Sequence, residues 1–397
     1  MIARLVLLSA LACTAHAQFV QVQGSDLLAP NNQKLLLRGI NLGNWLVTEG
    51  YMFHFEHGPQ SAREIEALLN DLVGPSEAER FWKEYREQYI TEADIQFLRR
   101  SGFNSVRIPF DYRLIGEGKF ALLDRVVGWC RRAGLYVILD MHCAPGGQTG
   151  TNIDNSWGYP WLFESDEFRS QTSALWRDIG RHYRDETAVI GYDLLNEPIP
   201  HYPQLLHLNP LLEPVYKQIT AAIREVDRNH IVILGGAQWD GNFDVFGPPF
   251  DAQAMYTFHK YWTATTINVI QPYLDFRKRY NVPLWMGESG ENTDDWIAKF
   301  RGVLEENAIG WAFWPYKKMD APSCAASFAR PVHWDEIVSY GKIRGSVGDA
   351  EKHLPQRPAN EHSKAALADL LVKIRFENCR VNEGYVRALT ASGAERR

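Results

Sequence analysis

The chain has 397 residues, 45% of them hydrophobic, and a formal net charge of −6 at pH 7. This size and apolar content suit a large globular core, built either as two average domains or as one α/β barrel. The negative charge and the lack of a basic block argue against proteins whose partner is nucleic acid or an anionic membrane.

The first residues have the pattern of an export signal. Arg4 provides a positive start, Leu5–Ala12 is an apolar run too short to span a bilayer, and Ala15 and Ala17 form a small-x-small cleavage site. We therefore expect a signal peptide over residues 1–17, cut after Ala17, and a secreted or periplasmic protein. No later stretch of the sequence is apolar for long enough to predict a membrane span.

Short, nearly continuous apolar runs recur along the chain and predict parallel strands covered on both faces. The eight runs are Leu35–Ile40, Ser105–Pro109, Tyr136–Met141, Val189–Leu195, Ile231–Gly235, Met255–His259, Pro283–Gly287 and Gly310–Trp314.

Helical patterns separate most of these runs. Ser61 with Glu64 and Ser76 with Glu79 have capping-box spacing and predict inserted helices after the first strand. The other apolar stripes predict helices over 91–100, around 122–130, 168–183, 212–226, 296–304 and 367–374, with a very short or missing helix between Gly235 and Met255.

Eight strands with intervening helices favour a single-domain (β/α)₈ TIM barrel over residues 18–397, whose active site would lie at the carboxyl ends of the strands. A doubly wound open sheet is the alternative, although no glycine-rich phosphate fingerprint follows an early strand. We expect long loops at 41–60, 144–166 and 315–362, the last shaping one wall of the cleft, and a loose tail after about residue 377.

Two of the predicted strands end in glutamate. The fourth is followed by Asn196, Glu197 and Pro198, and the proline is expected to stop the strand with Glu197 still extended. The seventh is followed by Glu288. In a barrel, two such glutamates would face each other across one cleft.

Other polar and aromatic residues fall at the ends of the same strands. Each alone is more often structural than functional, but their joint placement is hard to obtain by chance. The set comprises Arg107, His142, Asn196, Glu197, His259, Tyr261, Glu288 and Trp314.

This arrangement resembles glycoside hydrolase family 5, and the resemblance runs from the opening motif at 37–45 through Trp314. The opening motif and the segment 140–148 are similar to the branch that contains exo-1,3-β-glucanases. The resemblance implies a retaining β-glycosidase that acts on a β-linked glucan or a related oligosaccharide. Asn41 and Trp45 of the opening motif are expected to support the substrate site.

The resemblance also implies roles for the site residues. Glu197 would be the general acid and then base, and Glu288 the nucleophile, with Arg107 and Tyr261 stabilising the Glu288 carboxylate. Burial and the nearby Glu288 would raise the pKa of Glu197.

The remaining site residues would bind the sugar. Asn196 would contact the 2-OH, His142 and His259 would position hydroxyl groups or the acid, and Trp314 would form the floor under the reacting ring. Loop aromatics are expected to decide the sugar, the linkage and exo or endo action; these are Trp45, Phe53, Trp157, Trp161, Trp239 and Trp262.

No metal or cofactor is predicted, because no Cys/His spacing resembles a zinc site. Once the signal peptide is removed, Cys130, Cys143, Cys324 and Cys379 remain and allow three full pairings. We expect Cys130 to be a buried thiol and Cys143 to pair with Cys324, since both should lie in loops at one end of the barrel.

Several alternatives stay open. The chain could be a carbohydrate-binding barrel without catalysis, a transglycosylase, a mannan-acting member of the same family, or an unrelated barrel enzyme that uses metal or phosphate. We expect a monomer with a glycan as its partner and with no nucleic-acid partner.

Overall fold

The computed structural model describes residues 19–115, 120–156, 158–344 and 350–391. The predicted signal peptide and Trp157 lie outside these ranges, so export stays a prediction. Within the described ranges, no helix combines the length and apolarity needed to cross a membrane.

A short hairpin, β1 (Gln21–Gln23) and β2 (Asp26–Leu28), precedes a closed barrel of eight parallel strands. The barrel strands are β3 (Arg38–Asn41), β4 (Ser105–Asp111), β5 (Tyr136–Cys143), β6 (Val189–Asp193), β7 (Ile231–Gly235), β8 (Ala254–His259), β9 (Leu284–Glu288) and β10 (Gly310–Phe313). The barrel closes because β10 pairs with both β3 and β9, so the open-sheet alternative is wrong and the (β/α)₈ prediction is confirmed.

Helices cover the outside of the barrel and connect its strands. They are α1 (Ala62–Val73), α2 (Pro75–Gln88), α3 (Glu92–Arg100), α4 (Tyr112–Ile115), α5 (Ala121–Ala133), α6 (Asp166–Tyr183), α7 (Asn209–Arg224), α8 (Ala237–Asp240), α9 (Gln271–Tyr280), α10 (Asp294–Glu306), α11 (Trp334–Ile343), α12 (Ala350–His353), α13 (Asn360–Lys373) and α14 (Glu383–Thr390).

The two predicted capping boxes have different outcomes. Ser61 and Glu64 form the predicted reciprocal bonds at the start of α1. Ser76 does not cap a helix, because α2 already begins at Pro75, whose missing N–H and fixed φ suit the first helical position.

The barrel interior beneath the site is apolar. Leu37, Ile138, Ile231 and Trp285 belong to one buried cluster that also includes Leu27 of the β1–β2 hairpin. This packing supports the strands beneath the site.

The segment 315–362 is more regular than the predicted loop. It contains β11 (Lys317–Met319), β12 (Ala326–Phe328), α11 and α12. The tail is also ordered through residue 391, because β13 (Arg380–Val381) pairs with β12 and α14 follows it. The Tyr385 hydroxyl on α14 donates to the Trp314 carbonyl at 3.0 Å, so the expectation of a loose tail is wrong.

All four described cysteines are free thiols, and the predicted bridge between Cys143 and Cys324 is wrong. The Cys143 thiol contacts the Ile153 carbonyl at 3.8 Å, whereas the Cys324 thiol contacts the Ala326 carbonyl at 3.2 Å. Each buried sulfur therefore faces backbone of its own segment, and burial raises the pKa of Cys324 to about 12.

A buried ion pair attaches β11 to α3. Lys317 Nζ lies 2.5 Å from Asp94 Oδ1, and both side chains are fully buried. We expect Asp94→Asn to lower the free energy of unfolding by about 3–5 kcal/mol, because the lysine ammonium would lose its buried counter-charge. Urea denaturation measures this loss.

The matched control is Asp295→Asn, which removes the exposed partner of Lys299. This change should cost less than about 1 kcal/mol, because solvent screens the pair. Equal losses for the two variants would contradict a stabilising role for the buried pair.

Candidate active site

A cavity of about 940 Å³ opens at the carboxyl ends of the barrel strands. Asn196 and Glu197 reach it from the segment after β6, His259 from the end of β8, Glu288 from the end of β9, and Trp314 from just beyond β10. Its volume is within the usual range for small-molecule and substrate sites.

Glu197 and Glu288 face each other inside this cavity. A carboxylate oxygen of Glu197, one of Glu288 and a ring nitrogen of His259 all lie within 4.8 Å of one another. The two acidic side chains are therefore close enough to act on the same substrate atom.

The backbone at Glu197 differs from the prediction. Strand β6 ends at Asp193, and Glu197 has a φ of 48°, so it is left-handed rather than extended. This sparsely populated conformation is costly for a non-glycine residue and occurs mainly at functional sites. It is maintained by contacts of Glu197 with its neighbours, including the bond from its backbone N–H to Asp240 at 3.3 Å.

The Glu288 carboxylate is bound by two donors. Arg107 Nη1 lies 2.5 Å from Oε1, and the Tyr261 hydroxyl donates to Oε2 at 3.0 Å. Charge-assisted bonds of this kind fix the orientation of a carboxylate and stabilise its negative charge.

Arg107 is fully buried and is itself positioned by a ring of acceptors. Asp140 lies 3.0 Å and Asp193 2.8 Å from the guanidinium, while Asn41 and Asn196 accept from its Nη atoms at 3.0 and 2.9 Å. Burial raises the pKa of both aspartates to about 7, although Arg107 acts in the opposite direction. The guanidinium therefore connects Glu288 to Asn196 rigidly.

Glu197 has the environment of a carboxyl group that holds a proton near neutral pH. Burial raises its pKa to about 7, and the nearby His142 and Arg107 lower it by less. One carboxyl oxygen lies 2.9 Å from His259 Nδ1.

His259 connects Glu197 to a third carboxyl group. Its Nε2 lies 3.2 Å from Asp240, and burial lowers the pKa of His259 to about 3. A neutral imidazole donates from one ring nitrogen and accepts at the other. Burial also raises the pKa of Asp240 well above its usual value, and His259 lies between two carboxyl groups and is hydrogen-bonded to that of Glu197.

Trp314 and His142 form one wall of the cavity. Their rings stack with centroids 5.8 Å apart, and the Trp314 indole N–H donates to the Tyr51 hydroxyl at 2.8 Å. A Cβ at Gly43 would collide with the indole ring, so this position of the opening motif needs glycine. His142 Nδ1 contacts Asp140 at 2.8 Å, and burial lowers the pKa of His142 to about 4.

Several site residues were missed by the sequence reasoning. Glu49 and Tyr51 line the cavity beyond Trp314, and burial raises the pKa of both well above their usual values. Glu291 also lines it and pairs with Lys318 at 2.6 Å. The only available sequence signal was the position of Glu49 and Tyr51 just after the opening motif.

Some predicted substrate contacts lie elsewhere. Trp45 is buried behind the site, where its indole donates to the Arg86 carbonyl at 2.8 Å, and Asn41 lies behind Arg107. Phe53 is in the core, and Trp161 lines a different cavity, so neither shapes this one. Of the described loop aromatics that were predicted to shape the cleft, Trp239 and Trp262 do line it.

Comparison with known proteins places this site in a family. Residues 71–320 match the profile described as Cellulase (glycosyl hydrolase family 5). The chain is 29% identical over 355 residues to a protein named Beta-xylosidase from Phanerodontia chrysosporium, covering 75% of this chain and 71% of that one.

Two further similarities are informative. A probable glucan 1,3-beta-glucosidase A from Aspergillus fumigatus is 29% identical over 223 residues, 52% of each chain. A solved endogalactoceramidase superposes with a TM-score of 0.60 at 15% identity, covering 94% of this chain and 84% of that one, which shows the shared barrel fold. The family profile spans more than half of the sequence, and the chain therefore belongs to the cellulase family, glycosyl hydrolase family 5, as a glycosidase acting on β-glycosides.

Proposed function

We propose that the protein is an exported, retaining, exo-acting hydrolase of β-glucan or a related β-linked oligosaccharide. Glu288 would be the nucleophile and Glu197 the acid and base. The observation that carries this proposal is the approach of the two carboxylates to within 4.8 Å. Retaining glycosidases hold their carboxyl groups ~5–5.5 Å apart, whereas inverting enzymes need ~6.5–9.5 Å to admit a water molecule.

The first step is displacement of the leaving group. Glu288 attacks the anomeric carbon while Glu197 transfers its proton to the glycosidic oxygen, so the C–O bond breaks and a glycosyl ester forms. In the second step Glu197, now ionised, takes a proton from water, and the water oxygen displaces Glu288.

The surrounding contacts suit these two roles. Arg107 and Tyr261 hold the Glu288 carboxylate in one orientation, so its attacking oxygen is already in position before the substrate binds. Asn196 is held by Arg107 beside the nucleophile, where its amide N–H group can reach the sugar 2-OH. His259 fixes the carboxyl group of Glu197 on the other side.

The acid identifies the leaving-group side of the cavity. His201 and Trp239 lie on the segments next to Glu197, so the aglycone would leave past them and past Trp262. The sugar to be transferred would then occupy the opposite side, over Trp314.

The side beyond Trp314 carries several polar side chains. The Tyr51 hydroxyl accepts from Trp314, Lys318 lies 4.4 Å from the Tyr51 ring centroid, and Glu49 and Glu291 line the same end. These side chains would contact the hydroxyl groups of one terminal sugar unit and leave little room for a second. We therefore propose release of single sugars from the non-reducing end.

The activity should have an alkaline limit near pH 7. Glu197 must be protonated to act as an acid, and its pKa is raised to about 7, so kcat/KM for a glucan should fall as pH rises through that value. A pH profile measured with a dinitrophenyl glycoside should lack this fall, because such a leaving group needs no proton. The same alkaline fall with both substrates would contradict Glu197 as the acid.

Product analysis tests the proposed substrate. The protein would be incubated with β-1,3-, β-1,4- and mixed-linkage glucans and with mannan, and early products would be separated by chromatography. We expect glucose as the first product, fastest from a β-1,3-linked oligosaccharide. Early appearance of longer oligosaccharides would contradict exo action, elongated products would indicate transglycosylation, and no reducing sugar from any substrate would favour a binding protein.

A further inference from the structure

A cluster of possible metal ligands lies on the surface, away from the catalytic cavity. Within the described residues, His333, Glu336 and His362 each offer one ligand atom, and these atoms lie within 4.8 Å of one another. His333 immediately precedes α11, Glu336 is in its first turn, and His362 is in the first turn of α13. The spacing of the histidines along the chain gave no hint of this site.

The three side chains are joined by ring stacking and hydrogen bonds. The imidazole rings of His333 and His362 stack with centroids 3.8 Å apart and planes inclined by 13°. Both rings point Nδ1 at the same carboxylate, with distances of 2.8 Å and 2.9 Å to the two oxygens of Glu336. These two bonds lower the pKa of Glu336.

We propose that His333, Glu336 and His362 bind one divalent transition-metal ion of the zinc class. Imidazole nitrogen and carboxylate oxygen are ligands that zinc, nickel and copper accept, and three protein ligands leave a fourth position for water. The donor set contains no thiolate and too few oxygens to favour calcium or magnesium.

To bind one ion, the two stacked rings would tilt toward each other, because each imidazole nitrogen binds a metal in the plane of its ring. Ligands on a tetrahedral zinc stand about 3.4 Å apart when the bonds are ~2.0–2.1 Å long. The two N–O distances would therefore lengthen by about 0.5 Å, which exposed side chains can accommodate. Each neutral ring would carry its proton on Nε2, which has no hydrogen-bond partner among the described residues.

A metal ion here would join α11 to α13 behind the wall of the catalytic cavity. Trp334, next to His333, donates its indole N–H to the Phe53 carbonyl at 2.8 Å and packs against Phe55. Phe53 and Tyr51 belong to the same turn, and Tyr51 lines the cavity. The ion would therefore stabilise this wall without touching the substrate.

Zinc titration of the full, tag-free chain tests the proposal. After treatment with a chelator, isothermal calorimetry with zinc chloride should give one saturable site, and zinc should raise the melting temperature. Cobalt should give a visible absorption band typical of coordinated nitrogen and oxygen. His362→Ala and Glu336→Gln should each weaken zinc binding by roughly tenfold or more, while zinc-free activity stays unchanged.

His207→Ala is the matched control, because His207 is also exposed and lies beside a glutamate, 3.8 Å from Glu164. It should bind zinc like the unmodified chain. Absence of saturable binding, or equal affinity in His362→Ala, would overturn the proposal. Loss of binding in Glu288→Gln but not in His362→Ala would place the ion in the catalytic cavity and would also overturn it.

Discussion

Glu288→Gln should lower kcat on aryl β-glucosides and on glucan by on the order of 10⁴-fold or more, because the amide cannot form the glycosyl ester. The loss should be similar for good and poor leaving groups, since both need the nucleophile in the first step. Steady-state kinetics with a dinitrophenyl glycoside and with a β-1,3-linked oligosaccharide measure it.

The fold of this variant should survive. The amide oxygen can still accept from Arg107, and its NH₂ group can face the Tyr261 oxygen. Arg107 also keeps Asp140 and Asp193 as counter-charges. A melting curve close to that of the unmodified protein is therefore expected.

The matched control for Glu288→Gln is Glu225→Gln, the same change at an exposed residue that pairs only loosely with Arg177, at 3.4 Å. Full activity is expected for that variant. If Glu288→Gln kept more than a few per cent of the activity, Glu288 could not be the nucleophile.

Glu197→Ala should lose activity in a way that depends on the leaving group. Loss of general acid catalysis should slow hydrolysis of glucan by roughly 10²–10⁴-fold. Dinitrophenyl glycosides should form the glycosyl ester at nearly the original rate, because their leaving group departs without a proton. A burst of dinitrophenol followed by slow turnover is the expected kinetic result.

Azide provides the complementary measurement for Glu197→Ala. The space left by the carboxyl group lies next to His259 and opens to the cavity, so a small anion should enter and attack the glycosyl ester. Azide should restore turnover and give a β-glycosyl azide. Failure of rescue, or an equal loss for every leaving group, would indicate that another residue supplies the proton.

The sequence allowed the barrel to be predicted because its strands are buried on both faces. Runs such as Ile231–Gly235 and Val189–Tyr192 are apolar without alternation, which is typical of parallel strands covered by helices. Glutamates at or shortly after the carboxyl ends of two such strands lie at the same end of a closed barrel, which is why Glu197 and Glu288 could be paired from the sequence.

Residues that affect the site only by positioning other side chains were much harder to predict. Asp240 reaches His259 only because Gln238, Trp239 and Asp240 have consecutive left-handed φ values, a backbone path that no sequence periodicity encodes. Trp45, in contrast, was wrongly predicted to contact the substrate. Its place in the opening motif suggested a substrate contact, but the helices inserted after the first strand cover it, and its indole bonds to α2.

The ordered tail was missed for a similar reason. The segment 380–390 is short, and its position depends on pairing with β12 and on the bond between Tyr385 and the Trp314 carbonyl. These are long-range contacts, and local composition does not report them.

Trapping of the glycosyl ester tests the central role of Glu288 most directly. The protein would be incubated with a 2-deoxy-2-fluoro β-glucoside that carries a good leaving group, then digested and sequenced by mass spectrometry. The fluorine slows both steps, so the ester should accumulate, and the peptide containing Glu288 should carry one fluorosugar on that residue. A label on Glu197 instead, or an unlabelled enzyme that still releases the leaving group with an α-configured sugar as product, would contradict it.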